Sequence, residues 1–345
     1  MFPFIVDEFN TNFAFSVYVY VLVGLLGLVI GSFLNVVGLR FLSGESIVFP
    51  ASKCPKCQTK LKWYDNIPVL AYTLLLGKCR YCKEKISFQY PLVEAITAIM
   101  FLLVFATFGF SWTTLMLWIL VSPCIVMCIT DFREQIIFDA TSIPFIAIGL
   151  IYSFFNLGNL PVEKIPVFNF GFSINSTFID AIIAIGVAFL FFEIISLIAK
   201  LTIKNRAFGE GDTIIAMMFG AWFGLKATLL IIAISFLVQA VFTLPVLVIN
   251  LCKQKDNVAS LSFIALILSA VSPLILTRFD FFYTAIGSLL LIVATLSVAV
   301  ISALLFLKRM KELEAFTMLP FGPALIVAGF IVLFLGEQIF KYLGI

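Results

Sequence analysis

Two aspartates and four cysteines have the residue types and spacings that could do chemistry in this sequence. In AFGEGDTIIAMM, residues 207–218, Asp212 follows Gly209 and Gly211 and stands directly before an apolar run; in CITDFREQIIFDATSIP, Asp131 ends one apolar run and Asp139 precedes the next. A carboxylate at such a boundary costs energy and is by default a functional candidate. Two acids brought close in a site of low polarity cannot both ionise easily, so they share a proton. Such a pair can hydrolyse a peptide. The ionised carboxylate takes a proton from water, while the protonated one hydrogen-bonds the scissile carbonyl and then helps protonate the leaving amine. Gly209 and Gly211 supply the backbone freedom and close approach needed beside Asp212. Taken alone, G-x-G-D reads as a flexible loop with a helix-capping aspartate; Asp131 at a matching depth favours the catalytic pair.

Cys54, Cys57, Cys79 and Cys82 form two C-x-x-C pairs separated by 21 residues. Two such knuckles let four thiolates close a tetrahedron around Zn²⁺, and the flanking lysines favour the thiolate form. With four protein ligands there is no open position for water, so this metal is structural. Cys124, Cys128 and Cys252 lie in or beside apolar runs and read as small packing residues. The chain has no histidine. Histidine zinc ligands, histidine bases and Ser-His triads are therefore excluded, and acid–base chemistry falls to carboxylates, Lys, Tyr or Cys.

These residues must be positioned by membrane helices. The mean hydropathy is +1.16, charged residues are 12%, and several uninterrupted apolar stretches match the length of a bilayer span. The fold class expected is an all-α polytopic membrane protein. Candidate spans lie near 15–38, 90–108, 112–130, 141–156, 177–202, 213–224, 227–250, 260–276, 281–307 and 319–341, about ten in all, with the 213–250 split the least sharply marked. Asp7 and Glu8 precede the first span, with no basic residue and no small-residue cleavage site, so it does not read as a signal peptide. Placing the N-terminus outside puts 18 of the 22 lysines and arginines on the cytoplasmic side. The expected organisation is a first helix in 1–40, a small cytoplasmic four-cysteine zinc domain in 41–89, a catalytic helical bundle in 90–251, and further helices in 252–345. Asp131 and Asp212 then meet at one depth on the cytoplasmic face.

At this point several ordered segments resemble the bacterial type IV prepilin peptidases, or leader peptidase/N-methyltransferases: GSFLNVVGLR (31–40), CPKC, WYDNIPVLAY (63–72), LLGKC (75–79), CRYC, YPLVEA (90–95), the Asp131 segment, GEGD (209–212), GAWFG (220–224) and LPFGP (319–323). The resemblance implies that Asp131 and Asp212 are the catalytic pair of an aspartic protease distantly similar in plan to presenilin, with Asp139 in support. It implies cleavage of the basic leader of prepilins or pseudopilins after a glycine at the inner-membrane face. It also implies methylation of the new N-terminal residue by S-adenosylmethionine, with Asp65, Asn66, Gly77 and Glu94 as candidates for that half. The chain departs from the family at Phe138, where proline is usual, at Ile215, where lysine is usual, and in 252–318, which reads as a two-helix addition. The partners expected are pilin precursors and the lipid bilayer, with no nucleic acid; oligomeric state is open. Two other classes compete: a pilus or secretion assembly protein that kept the zinc island without catalysis, and a transporter coupling cations through Asp131, Asp212 and Glu193.

Overall fold

The computed structural model describes residue 9 and residues 12–49, 51–155, 176–203, 208–254 and 320–343. Among these the regular structure is helical, and the island carries only two isolated β-bridges. Helix α1 runs Phe13–Ser43; its first turn is capped by Asn12, whose side chain accepts the Phe15 N–H, and it stops at Gly44, where φ is +67°. The island follows, with a 3-10 turn at Trp63–Asn66 and the short helix α2, Leu70–Leu74. Then come α3 (Gln89–Phe108), α4 (Trp112–Glu134), a 3-10 turn at Asp139–Thr141, α5 (Ile143–Phe155), α6 (Ser176–Ile203), α7 (Glu210–Gln254) and α8 (Gly322–Leu343).

Among the described residues, six stretches are long and apolar enough to cross a membrane: Phe13–Ser43, Gln89–Phe108, Trp112–Glu134, Thr177–Leu201, Glu210–Thr243 and Gly322–Tyr342. They agree with the sequence reading of a polytopic helical membrane protein. The spans expected at 260–276 and 281–307, and with them the two-helix addition, lie outside the described residues. Residues 1–238 with 320–345 form one compact unit and 239–319 a second; only the helical residues 239–254 of the second are described.

In the first unit α1 packs on α3 and α4, α8 on α4, and α5 on α6. Gly27 and Gly31 make the α1–α3 seam possible. A Cβ at Gly27 would lie 2.6 Å from the Ala98 Cα, and one at Gly31 would lie 2.9 Å from the Glu94 Cα. In lipid, association rests on such close backbone approach because no hydrophobic effect drives helices together. The 213–250 split is real. At Gly224 the backbone leaves helical geometry (φ +78°, ψ −178°), and the ring of Phe236 comes back to 5.9 Å from Phe208. Helix α7 is thus a hairpin whose inbound arm of 14 residues, Glu210 to Phe223, is about 21 Å long. Asp180 of α6 caps the return arm, accepting the Leu225 N–H at 3.2 Å.

Candidate functional site

Asp131 lies in the last turn of α4. The helix ends just beyond it because Gln135 adopts φ +55° and returns its N–H to the Asp131 carbonyl at 3.0 Å. Arg133 bonds Gln89 at the start of α3, so this end of the bundle is the one that carries the island. Asp212 is the third residue of α7, and its Oδ2 accepts the Gly209 N–H at 3.1 Å. That is the reciprocal half of a capping box. The capping role therefore holds, yet it occupies one carboxylate oxygen only.

The two acids, far apart in sequence, are 5% and 9% exposed. Three segments close around them. A Cβ at Gly211 would lie 2.7 Å from the Ile137 Cβ, so the G-x-G-D turn is pressed against the strand-like stretch after Asp131. Gly322, first in α8, comes up against the Asp131 carboxylate, whose Oδ2 is buried without a hydrogen-bond partner. A Cβ at Gly322 would overlap that Oδ2 and lie 3.1 Å from the Ile215 Cδ1, one turn beyond Asp212. Phe208 and Phe321, each immediately before a site glycine, have ring centroids 5.0 Å apart and are joined by Phe192 and Phe236. This aromatic cluster holds the G-x-G-D turn to the start of α8.

Gly322, Ile137 and the phenylalanines went unassigned in the sequence reading. The LPFGP match was the available signal for Gly322, but nothing in one sequence says what a glycine approaches. Gly209 differs from Gly211 and Gly322, since the nearest atom to a Cβ there is the Asp212 Oδ2 at an ordinary 3.6 Å. Asp139 is exposed on its 3-10 turn, and Phe138 before it stacks on Phe41 of α1 with centroids 5.3 Å apart. Phe138 therefore contributes a ring to the α1 contact that proline could not. Ile215 is fully buried. Glu193 is half-buried and lines, with Ser196, Leu197, Lys200 and Glu210, a half-open cavity of about 390 Å³.

In the island the four cysteine sulfurs lie within 4.8 Å of one another, and Cys54 and Cys82 are 3.9 Å apart. A tetrahedron with Zn–S bonds near 2.3 Å has edges of about 3.8 Å, so the sulfurs could bind a metal such as zinc. The two knuckles are structural repeats. Gln58 (φ +57°) and Lys83 (φ +60°) return N–H bonds to the Cys54 and Cys79 carbonyls, and the Lys53–Lys60 and Lys78–Lys85 bridges close them. Hydrogen bonding with Thr59 holds the half-buried Cys57 thiol down at about 6, while amides of Cys82 and Tyr81 lower Cys79 despite its burial.

The proposed methyl-transfer residues divide between two places. Asp65 accepts from Arg80 Nε at 2.7 Å, Tyr81 Oη at 3.0 Å and the Lys62 N–H at 3.1 Å. Burial opposes its ionisation, but these donors together keep it below the ordinary carboxylate range. Asn66 is exposed beside it, and Gly77 (φ +68°) faces the Tyr72 ring. Glu94 sits inside α3, where Oε2 accepts the Val69 N–H at 2.7 Å. The structure thus ties Glu94 to the island through backbone, and Asp65 to the second knuckle.

Comparison with known proteins gives two family-model matches: the Bacterial Peptidase A24 N-terminal domain over residues 25–108, and the Type IV leader peptidase family over residues 118–244. Among curated proteins, the chain is 32% identical to a prepilin leader peptidase/N-methyltransferase of Myxococcus xanthus over 215 residues, 62% of this chain and 58% of that one. It is 32% identical to its namesake in Neisseria gonorrhoeae over 246 residues, 64% and 79% of the two chains. It is 27% identical to that of Pseudomonas aeruginosa over 338 residues, 91% and 90%. The aligned part thus spans less than two thirds of the first relative and more of the others. No solved structure matches.

Proposed function

Since this chain belongs to the type IV leader peptidase family, we propose that it is an aspartic endopeptidase of the inner membrane that removes the leader of prepilins or pseudopilins and then N-methylates the new terminus. The observation that carries the first half is the burial of Asp131 and Asp212 around Gly322, which meets the Asp131 carboxylate on one side and Ile215, one turn beyond Asp212, on the other, at the end of the bundle that bears the island. Such a pair holds one proton between its members. A water between them loses a proton to the ionised carboxylate and attacks the scissile carbonyl, and the protonated carboxyl, already bonded to the carbonyl oxygen, then passes its proton toward the leaving amine. The Gly209 N–H fixes the Asp212 carboxylate, and Asp131 Oδ2 is left without a hydrogen-bond partner.

The basic residues clustered in 40–88 support a cytoplasmic placement of this face, with the N-terminus outside. A basic leader then stays in the cytosol while the apolar pilin helix stays in lipid, which delivers the bond after a glycine to the interface. Zn²⁺ on Cys54, Cys57, Cys79 and Cys82 would hold the island folded. S-adenosylmethionine would supply the methyl group, and the island's attachment to α3 through Glu94 favours this region for it.

The test is incubation of detergent-solubilised protein with a prepilin and mass spectrometry of the product, for wild type, Asp131→Asn and Asp212→Asn. Both variants should leave the leader in place; cleavage at the wild-type rate by either one refutes the pair. Added S-adenosylmethionine should increase the mass of the cleaved product by one methyl, and an unmethylated product would remove the second activity.

A further inference from the structure

The island presents an apolar surface that its own fold does not use. Leu70 and Leu74, one turn apart on α2, are 58% and 81% exposed, and Leu76 just beyond is 84% exposed. Single exposed leucines are ordinary, but three adjacent ones on a five-residue helix and its exit form a patch. Two contacts fix its height. The Val69 N–H is bonded at 2.7 Å to Glu94, which lies more than one turn inside the membrane helix α3, and the Tyr72 ring packs edge-on against Phe88 at 6.4 Å. Phe88 is itself exposed and begins the outward stripe of α3, which continues through Leu92, Ile96, Ile99 and Leu103 at steps of three and four. The patch is therefore continuous with a surface that meets lipid.

Charge agrees with this placement. Residues 40–88 carry nine lysines and arginines against Glu45, Asp65 and Glu84. A segment that is basic overall, presents an apolar patch and is tethered at both ends to membrane helices matches a bilayer leaflet containing anionic headgroups. We propose that α2 and its exit lie on the bilayer, with Leu70, Leu74 and Leu76 at the headgroup–acyl boundary. The island is then a monotopic surface element as well as a metal fold, and its height above the catalytic pair is set by lipid. Nothing in this rests on the protease chemistry.

Full-length protein carrying the photoreactive residue p-benzoylphenylalanine at position 74, or in a separate variant at position 56, tests it. Lys56 is an exposed residue in the first knuckle, away from the patch in sequence. Each variant is reconstituted in vesicles of phosphatidylethanolamine with one quarter phosphatidylglycerol, irradiated, and digested for mass spectrometry. Position 74 should give about tenfold more phospholipid adduct than position 56. Equal adduct at the two sites overturns the proposal, as does an adduct at 74 to a second copy of the chain or to added prepilin in place of lipid. Position 76 serves as the alternative probe if circular dichroism in detergent shows that the position-74 variant is not folded.

Discussion

Replacing Gly322 with alanine tests the geometry of the site more sharply than removing an acid does. The added Cβ would overlap Asp131 Oδ2 and lie 3.3 Å from its Cγ and 3.1 Å from the Ile215 Cδ1. Both neighbours are constrained: Asp131 by the last turn of α4, Ile215 by complete burial. Helix propensity works the other way, since alanine in place of glycine in α8 favours the helix by up to about 1 kcal/mol. Overpacking costs about 1–3 kcal/mol, so stability should fall slightly or hold. Activity should suffer more, because relief of the overlap requires the carboxylate or α8 to move by about 1 Å, and a misplacement of that size costs about 100-fold in rate. That factor corresponds to about 2.7 kcal/mol of lost transition-state stabilisation. The assay is kcat/KM for prepilin cleavage, read with the melting temperature in the same detergent. Gly186→Ala is the control, because nothing lies within 4 Å of a Cβ there; it should cleave normally. A folded Gly322→Ala enzyme that cleaves within about threefold of wild type would refute the contact as a determinant of the pair's position.

Three further outcomes are expected. Gly224→Ala places a Cβ at φ +78° and onto Asp180 Oδ2, so it should lower stability by about 3 kcal/mol or more, visible as a large drop in melting temperature, whereas Gly186→Ala should not. Glu94→Ala strands the Val69 amide, held at φ +60°, at a cost of about 1–3 kcal/mol; hydrogen exchange should rise in 67–77 while that of α4 stays unchanged. Cys54→Ser, or chelation, should reduce bound zinc measured by mass spectrometry and loosen the island, lowering methylation before cleavage; unchanged methylation would separate the metal from that activity.

Much of this protein was legible in one dimension because its strongest constraints are local. Lipid demands helices of bilayer length, so apolar runs reported α1, α3, α4, α6 and α8 directly. The paired C-x-x-C spacing reported four sulfurs within reach of one metal because each knuckle is closed by its own backbone hydrogen bonds. Asp131 and Asp212 stood out because a carboxylate beside an apolar run is costly wherever the run folds.

What the sequence could not supply were relations between distant segments. The break between 213–224 and 227–250 could be marked from the apolar runs, but not what holds the reversal at Gly224, the Asp180 cap from another helix. A glycine in LPFGP is silent until α8 brings it onto Asp131. Asp65 and Glu94 read alike as acids near the island, yet one is held by Arg80 and Tyr81 and the other by the Val69 amide. Residue type and period are set by the solvent each element meets, and a single sequence records them; who meets whom depends on packing among helices that share one apolar character, and only the folded chain decides it.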